Sequence, residues 1–280
     1  MPLTVLMSVY HKESAAHLRQ CLESLAFQTR PADEIVIVED GPLGEPLDAI
    51  IAAYKRDLPI VSLVLPTNGG LGPALRAGLF KCGGEYVARM DSDDICFRER
   101  FQRQIEFLNS NPEVDVVGSA IEEFGGIYGV PRAIRRLPAS GRELLRFARL
   151  RNPLNHMTTM FRKDSVLAAG SYQPFPGFED YHLWARMLMH GHSLQNMEEI
   201  FVRVRCDNGM QSRRGGLAYL KQDFAFQLFL RKLGLVTANG CIRNIAMRAP
   251  FRLAPRFVRS KCYKLFLRSS PPPSGKLLHE

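Results

Sequence analysis

The sequence predicts an α/β fold, in which a mixed, mainly parallel sheet is flanked by helices and followed by a basic helical extension. Three observations predict it. Short apolar runs of strand character alternate with stretches in which apolar residues recur at helical spacing. The 280 residues, 46% of them hydrophobic, can bury one substantial core. Beyond residue 210, fourteen Lys or Arg stand against two acids, so the net charge of +9 belongs to the C-terminal part.

The first third of the chain predicts strands over residues 3–9, 34–39 and 60–65, separated by two helices. Such alternation gives a parallel sheet with right-handed crossovers, whose ligands bind beyond the carboxyl ends of the strands. A glycine-rich turn over residues 68–78 then enters a helix, which suits close approach of an anionic ligand. It lacks the Gly-Lys-Ser/Thr of a phosphate-binding loop, and Leu75 replaces the third Gly of a dinucleotide motif. By itself it predicts either a ligand loop or an ordinary helix entry.

The most informative stretch is residues 86–94, where a short apolar run ends in Asp91, Asp93 and Asp94. Three carboxylates within four residues are costly unless a cation neutralises their charge. Carboxylate ligands suit Mn²⁺ or Mg²⁺, which complete their coordination with water and phosphate oxygens. The pattern therefore predicts a divalent-metal site and a diphosphate-bearing substrate. In the alternative interpretation, Ser92 and the acids beside it cap the helix that follows.

The second half predicts a helix over 101–108, strands over 114–118 and 155–161, and an amphipathic helix that begins with Glu179 and Asp180. Transfer chemistry needs a carboxylate near the acceptor hydroxyl to take its proton, and this acidic pair is the candidate. The alternative is a favourable acidic first turn of the helix. A lone histidine on a strand, such as His156, is either an acceptor-side group or a structural residue.

The segment after residue 215 is basic and contains aromatic residues. A helix is predicted over 218–233, and Pro250 and Pro255 are expected to break the remainder into short pieces. Basic amphipathic segments of this kind bind anionic membrane surfaces. Nucleic-acid binding is not expected, because no recognition motif accompanies the charge. The alternative that the segment is only a solvent-exposed basic face remains open. We expect a catalytic domain over 1–215, a basic amphipathic helical extension over 216–268 and a disordered tail over 269–280.

Composition also predicts where the protein works. We find no apolar stretch long enough to span a bilayer, and residues 1–10 lack the features of a signal peptide. The six cysteines show no C-x-x-C spacing, so they are expected to be reduced thiols without zinc. We therefore expect a cytoplasmic protein that associates peripherally with the inner face of the cytoplasmic membrane through residues 216–268.

Four motifs resemble, in order and approximate spacing, those of family 2 glycosyltransferases, which are inverting nucleotide-sugar enzymes of GT-A fold. They are Leu6-Met7-Ser8-Val9-Tyr10, Val36-Ile37-Val38-Glu39-Asp40-Gly41, Asn68-Gly69-Gly70-Leu71-Gly72 and Met90-Asp91-Ser92-Asp93-Asp94. The resemblance covers residues 3–205 and implies a GT-A domain. The whole-chain pattern resembles the bacterial exopolysaccharide and O-antigen subgroup of amylovoran-type transferases.

The resemblance implies roles on the donor side. Asp40 would hydrogen-bond the uracil imide, and Tyr10 would flank the base. Asp93 would ligate the metal, with Asp91 on metal or ribose, whereas His11 replaces the usual Asn and receives no role. The residues alone are also compatible with a core aromatic at Tyr10 and a turn-forming Asp40. The nucleotide-sugar-binding set is Val9, Tyr10, Glu13, Asp40, Asn68, Gly69, Arg76, Asp91, Ser92 and Asp93.

On the acceptor side, Glu179-Asp180 followed by Trp184 resembles the Glu-Asp motif of the family, in which the Asp is the base. This implies that Asp180 is catalytic, with Glu179, His156 and Trp184 lining the acceptor side. Residues 211–215 match only the Gln and first Arg of the Gln-x-x-Arg-Trp motif of processive synthases, so transfer of a single sugar is expected.

Together with the acidic pattern, the resemblance implies a metal-dependent hexosyltransferase that moves one sugar from a UDP-sugar. The resemblance alone implies an undecaprenyl-diphosphate-linked saccharide as acceptor and galactose as the candidate sugar. Two alternatives remain open. A sugar-phosphate nucleotidyltransferase would have a Gly-rich, Arg-containing loop after the first strand, where this chain has Tyr10-His11-Lys12-Glu13. A non-catalytic membrane-surface protein would need neither Asp93 nor Asp180.

Overall fold

The computed structural model describes residues 1–125, 131–206 and 215–254. Within these ranges the strands are β1 (Leu3–Val9), β2 (Glu34–Glu39), β3 (Ile60–Val64), β4 (Tyr86–Arg89), β5 (Ile95–Cys96), β6 (Val116–Phe124), β7 (Pro131–Arg135), β8 (Met160–Arg162) and β9 (Leu194–Arg205). The helices are α1 (Ala15–Ala26), α2 (Glu45–Tyr54), α3 (Leu71–Lys81), α4 (Arg100–Ser110), α5 (Gly141–Ala148), α6 (Lys163–Ala168), α7 (Glu179–Met189), α8 (Leu217–Lys232) and α9 (Ala238–Leu253).

The strands form a mixed sheet in the order β3-β2-β1-β4-β8-β6-β9-β5, with β7 paired to β6. The first four strands pair in parallel, β8 is antiparallel to β4 and β6, and β9 is parallel to β6. β1 and β2 are apolar at nine of their thirteen positions, on both faces of the sheet, because a separate hydrophobic cluster covers each face. The predicted α/β fold with a mixed sheet and flanking helices is confirmed.

The order of the strands reverses beside β1, which lies between β2 and β4. The chain passes from β1 to β2 and β3 on one side, then returns to β4 on the other. Such a reversal leaves a crevice beyond the carboxyl ends of the strands. Tyr10, Asp40 and the acidic residues that begin at Asp91 follow β1, β2 and β4, so this edge of the sheet gathers the predicted donor residues.

The strand predicted over 155–161 is wrong in its first half. His156–Thr158 forms a 3-10 turn, and β8 begins only at Met160. The hydroxyl of Thr158 donates to the carbonyl of Asn155 at 2.8 Å, and that of Thr159 to the carbonyl of His156 at 2.9 Å. Such local bonds from threonine hydroxyls compete with a sheet ladder and favour the turn.

The break predicted at Pro250 is also wrong, because α9 continues through this residue to Leu253. Proline removes one backbone donor, but Pro250 lies in the last turn, and its carbonyl still accepts the amide of Ala254 at 2.9 Å. Arg252 further holds this end of α9, donating to Asp223 of α8 at 2.9 Å. The predicted break at Pro255 and the predicted disordered tail lie outside the described residues.

The helices α8 and α9 pack against α7 rather than standing apart from the body. Phe226 of α8 stacks on Phe178 with 4.5 Å between ring centroids, and Phe229 stacks on His182 at 4.1 Å. Phe226 and Leu230 belong to one buried cluster with residues of α7. The domain boundary at residue 215 stays a prediction. None of the helices in the described ranges is long and apolar enough to cross a membrane.

Candidate active site

The acidic loop after β4 brings its three aspartates together. The carboxylate oxygens of Asp91, Asp93 and Asp94 lie within 4.8 Å of one another. Burial, together with the carboxylates of Asp91 and Glu13, raises the pKa of Asp93 to about 7, and burial and Asp93 raise the pKa of Asp94 well above its usual range. Like charges at this density favour a bound cation.

These residues fit the predicted divalent ion. All three offer carboxylate oxygens, the donors that Mg²⁺ and Mn²⁺ prefer. Asp94 is 1% exposed, and its Oδ2 has no hydrogen-bond partner among the residues that the structure describes. The structure thus adds Asp94 to the predicted pair of Asp91 and Asp93. Which of them ligates the metal stays a prediction.

Two distant residues fix the shape of the acidic loop. The backbone amide of Arg205, at the end of β9, donates to Asp94 Oδ1 at 2.9 Å, and its side chain donates to the carbonyl of Asp93 at 3.1 Å. From the β1–α1 loop, Glu13 accepts the hydroxyl of Ser92 at 2.9 Å. Glu13 and Ser92, both predicted to bind the nucleotide-sugar, are therefore in direct contact.

A buried arginine lies beneath the same loop. Arg89, 2% exposed on β4, forms an ion pair with Asp91. Burial disfavours its charge, but the Asp91 carboxylate outweighs that cost and raises the pKa of Arg89. Its Nε and Nη1 have no hydrogen-bond partner in the described part of the chain. The sequence signal for this residue is a charged side chain within an otherwise apolar run, residues 86–90.

The residues predicted for the nucleotide are gathered around Asp40. Its Oδ1 accepts the amide of Gly69 at 2.7 Å and its Oδ2 that of Gly70 at 3.0 Å, while the side chain of Asn68 donates to its carbonyl at 3.1 Å. Asp40 therefore shapes the glycine-rich turn, and each of its oxygens retains a lone pair for a ligand. Tyr10, which follows β1 at the same end of the sheet as Asp40, is half-buried.

The predicted donor set also includes Arg76 and Val9, whose carbonyl accepts the amide of Asp40 at 2.8 Å. Val9 is fully buried in the core as the last residue of β1. Arg76 is exposed on α3, near enough to Arg186 to contribute to the lowering of its pKa. Neither position tests the predicted role.

The turn into α3 meets the start of α7. A Cβ atom on Gly72 would lie only 2.9 Å from Cγ of Glu179 and 3.3 Å from the carbonyl oxygen of Gln173. A side chain at position 72 would therefore require the Glu179 side chain to move and the backbone at Gln173 to shift by a few tenths of an ångström. This close approach sets the predicted donor loop directly beside the predicted acceptor pair.

Asp180 lies in the first turn of α7, and both its carboxylate oxygens accept hydrogen bonds. The amide of Tyr181 donates to Oδ1 at 2.7 Å, and the side chain of Asn152 donates to Oδ2 at 2.5 Å. Its neighbour Glu179 is largely desolvated, which raises its pKa. Asn152 was not predicted, because nothing in the local sequence connects it with α7.

The two rings predicted on the acceptor side lie in the core behind the acidic pair. Trp184 is 0% exposed and packs edge to face against Phe161 and His156. His156 Nε2 lies 3.0 Å from the hydroxyl of Tyr172, and burial together with Arg89 keeps its pKa well below the usual range. Direct contact of Trp184 with an acceptor, which we predicted, is not available in this structure.

The pattern of Glycosyl transferase family 2 matches residues 4–169, more than half of the chain. The chain belongs to this family. A relative in Erwinia amylovora, the amylovoran biosynthesis glycosyltransferase AmsE, is 44% identical over 264 residues, which cover 93% of this chain and 97% of the relative. The Escherichia coli UDP-Gal:alpha-D-GlcNAc-diphosphoundecaprenol beta-1,3-galactosyltransferase is 32% identical over 265 residues, or 95% and 96% of the two chains.

Solved structures agree on the fold. S. aureus TarS 1–349 in complex with UDP-GlcNAc superposes with a TM-score of 0.70 at 20% identity, covering 96% of this chain and 76% of that one. A mannosyltransferase from Pyrobaculum calidifontis in complex with GDP-Man and Mn²⁺ gives a TM-score of 0.63 at 18% identity, covering 92% and 78%. This family 2 member therefore has the GT-A fold. The predicted enzyme class is confirmed, and the nucleotidyltransferase and non-catalytic alternatives are set aside.

Proposed function

We propose that this family 2 enzyme transfers a single hexose with inversion from a UDP-sugar to an undecaprenyl-diphosphate-linked saccharide in bacterial exopolysaccharide or O-antigen synthesis. The observation that carries the proposal is the contact between Gly72 and Glu179, which sets the glycine-rich turn beside the acidic start of α7. The name of the Escherichia coli relative supports the UDP-sugar, the lipid-linked acceptor and galactose as the candidate sugar, and that of the Erwinia amylovora relative supports polysaccharide synthesis.

On the donor side, Asp93 and Asp91 would hold Mn²⁺ or Mg²⁺, and the bound ion supplies positive charge to the leaving diphosphate. Asp40, fixed by the amides of the glycine-rich turn, offers its remaining lone pairs to the imide of uracil. Tyr10 flanks the base. Arg89 holds one oxygen of Asp91, which leaves the other free to accept from ribose or to bind the ion.

On the acceptor side, Asp180 takes the proton of the attacking hydroxyl as that oxygen bonds to the anomeric carbon from the face opposite UDP. Asn152 and the amide of Tyr181 hold the carboxylate in one orientation, so that it need not reorganise during the step. The bond to the UDP oxygen breaks on the other face, and the configuration at the anomeric carbon is inverted.

We further propose that the C-terminal helices meet the anionic inner face of the cytoplasmic membrane. Each exposes large apolar side chains that are absent from the buried cluster. On α8 these are Phe224 and Leu228, 46% and 43% exposed, and on α9 Ile242 and Met247, 66% and 57% exposed. Exposed basic residues accompany them on both helices: Lys221, Arg231, Lys232 and Arg243.

Metal-dependent binding of UDP tests the donor site. Isothermal titration should show that wild-type protein binds UDP only with Mn²⁺ or Mg²⁺, and that Asp93→Ala weakens binding at least tenfold. Asp48→Ala is the matched control, because Asp48 is an exposed acid in the first turn of α2. Absence of UDP binding under every metal condition would overturn the proposal.

Transfer of sugar from UDP-galactose to a lipid-linked saccharide tests the base. Asp180→Asn should lower kcat by about 10²–10⁴, the usual contribution of general-base catalysis. Asp164→Asn, an exposed acid in the first turn of α6, controls for loss of a helix-terminal charge and should keep its activity. Equal losses in the two variants would show that Asp180 acts only on the helix.

A further inference from the structure

The segment that joins α5 to the buried Pro153 carries two exposed arginines beside the predicted base. Arg149 and Arg151 are both exposed. The residue that follows them, Asn152, donates its side-chain amide to Asp180 Oδ2 at 2.5 Å. Because one residue of chain spans at most about 3.5 Å, the backbones of Arg151 and Arg149 lie within about 4 and 11 Å of that of Asn152, which contacts the base.

Side chains of other helices hold the backbone of this segment in place. Three consecutive carbonyl groups, those of residues 148–150, each accept a hydrogen bond from a side chain. The donors are Tyr181 of α7 and Asn244 and Arg248 of α9, with 2.8 Å between Asn244 Nδ2 and its acceptor. The helix that carries Asp180, α7, and the C-terminal helix α9 therefore fix the position of the segment together.

Arg149 and Arg151 have no counter-ion among the described residues, whereas two basic residues of α9 do. Arg248 and Arg252 of α9 pair with Asp223 at 2.8 and 2.9 Å. No carboxylate of the residues that the structure describes lies within ion-pair distance of Arg149 or Arg151. A basic residue at a helix C-terminus stabilises the helix, which accounts for Arg149 at the end of α5, but Arg151 lies beyond that end.

We propose that Arg149 and Arg151 bind the diphosphate of the lipid-linked acceptor. The inference rests on the proposed function. In an acceptor such as the GlcNAc-diphosphoundecaprenol of the Escherichia coli relative, one sugar ring separates the diphosphate from the hydroxyl that attacks. A cationic pair beside Asp180 stands where that diphosphate would lie. Guanidinium groups match phosphate oxygens bidentately, and their fixed backbone lowers the entropy lost on binding.

Binding of farnesyl diphosphate, compared with farnesol, tests the assignment without knowledge of the acceptor sugar. The protein is first saturated with UDP and Mn²⁺, so that the donor site is filled. We expect wild-type protein to prefer the diphosphate at least tenfold, and Arg149→Gln/Arg151→Gln to lose this preference. The control variant Arg56→Gln/Arg142→Gln removes two exposed arginines elsewhere and should retain it.

The outcomes separate this inference from the proposed function. If UDP binds but wild-type protein shows no preference for the diphosphate, the inference is wrong and the donor site stands. If UDP itself does not bind, the proposed function fails first. Binding to phosphatidylglycerol vesicles tests whether the two arginines form a general site for lipid headgroups. If the double arginine variant loses vesicle binding as strongly as it loses binding of farnesyl diphosphate, the assignment is overturned. Unchanged vesicle binding with lost diphosphate binding supports it.

Discussion

At the residue scale, the carboxylates of the site differ in how their charge is compensated. Asp91 pairs with Arg89, and Asp180 accepts hydrogen bonds from Asn152 and a backbone amide. Asp93 instead has other carboxylates as neighbours, and its pKa is raised to about 7. Ionisation of Asp93 should therefore make the stability of the metal-free protein depend on pH.

Asp93 makes the metal-free protein less stable as the pH rises. Its carboxyl group has a pKa near 3.9 in an unfolded chain, so between about pH 4 and 7 the folded state binds more protons and stability falls. Asp93→Asn should therefore gain up to about 4 kcal/mol in free energy of unfolding, relative to wild type, over this window. Urea unfolding in EDTA measures the difference, and curves that stay parallel would contradict it. With saturating Mn²⁺, the wild-type protein should instead be more stable than Asp93→Asn.

Arg89→Met should destabilise the metal-free protein by about 1–3 kcal/mol. Removal of one partner from a buried ion pair costs about 3–5 kcal/mol, and the partly exposed Asp91 reduces that figure. Arg89→Lys keeps the charge and should recover most of the loss. Chemical denaturation measures both variants. Added Mn²⁺ should narrow the gap, because the ion then neutralises Asp91, whereas a gap independent of metal would show that Arg89 acts only through packing.

At the scale of elements, α7 depends on α8 for its support. Phe226 is fully buried between Phe178 and Tyr181, so Phe226→Ala should cost about 3–5 kcal/mol of stability. Phe224→Ala, two residues earlier on the exposed face, should change stability by less than about 0.5 kcal/mol. Thermal unfolding of both variants measures this contrast. Similar effects would mean that α8 is not held by this cluster.

The sequence predicted elements well where local signals were strong. Apolar spacing placed α1, α4, α7 and α8, and the β-branched runs placed β1 to β3. It failed at 155–161 because the hydroxyls of Thr158 and Thr159 prefer local carbonyls, a preference that the apolar pattern conceals. The antiparallel pairing of β8 with β4 was likewise beyond prediction, since register depends on contacts between distant segments.

At the scale of the whole molecule, charge is divided between an acidic body and a basic C-terminal part. The surface of α8 and α9 combines exposed apolar and basic side chains, so vesicles rich in phosphatidylglycerol should bind the protein. Each basic residue near an anionic surface contributes about 1 kcal/mol, so Arg231→Gln/Lys232→Gln should weaken partitioning by roughly thirtyfold. Co-sedimentation at low and high salt measures it. Arg56→Gln/Arg142→Gln is the control, and an equal loss there would indicate nonspecific charge attraction.

The sequence motifs named candidate residues for the site but not the residues that support them. The motifs named Asp40, Asp91, Asp93 and Asp180 because each motif is contiguous in the chain. The residues that orient them, such as Asn152, come from distant positions and belong to no local pattern. Side-chain burial was equally invisible, which is why Trp184 was predicted to face the acceptor although it lies in the core.

The contact between Asp94 and Arg205 joins residues 111 positions apart in the chain. Closing so long a loop costs entropy that is recovered only when β9 docks beside β6, and pairings of this kind form slowly. During synthesis, the acidic loop emerges from the ribosome long before its anchor does. The nascent chain must therefore carry Asp93 and Asp94 without their contacts to Arg205 until β9 arrives, and the acidic loop takes its final shape only at a late stage of folding.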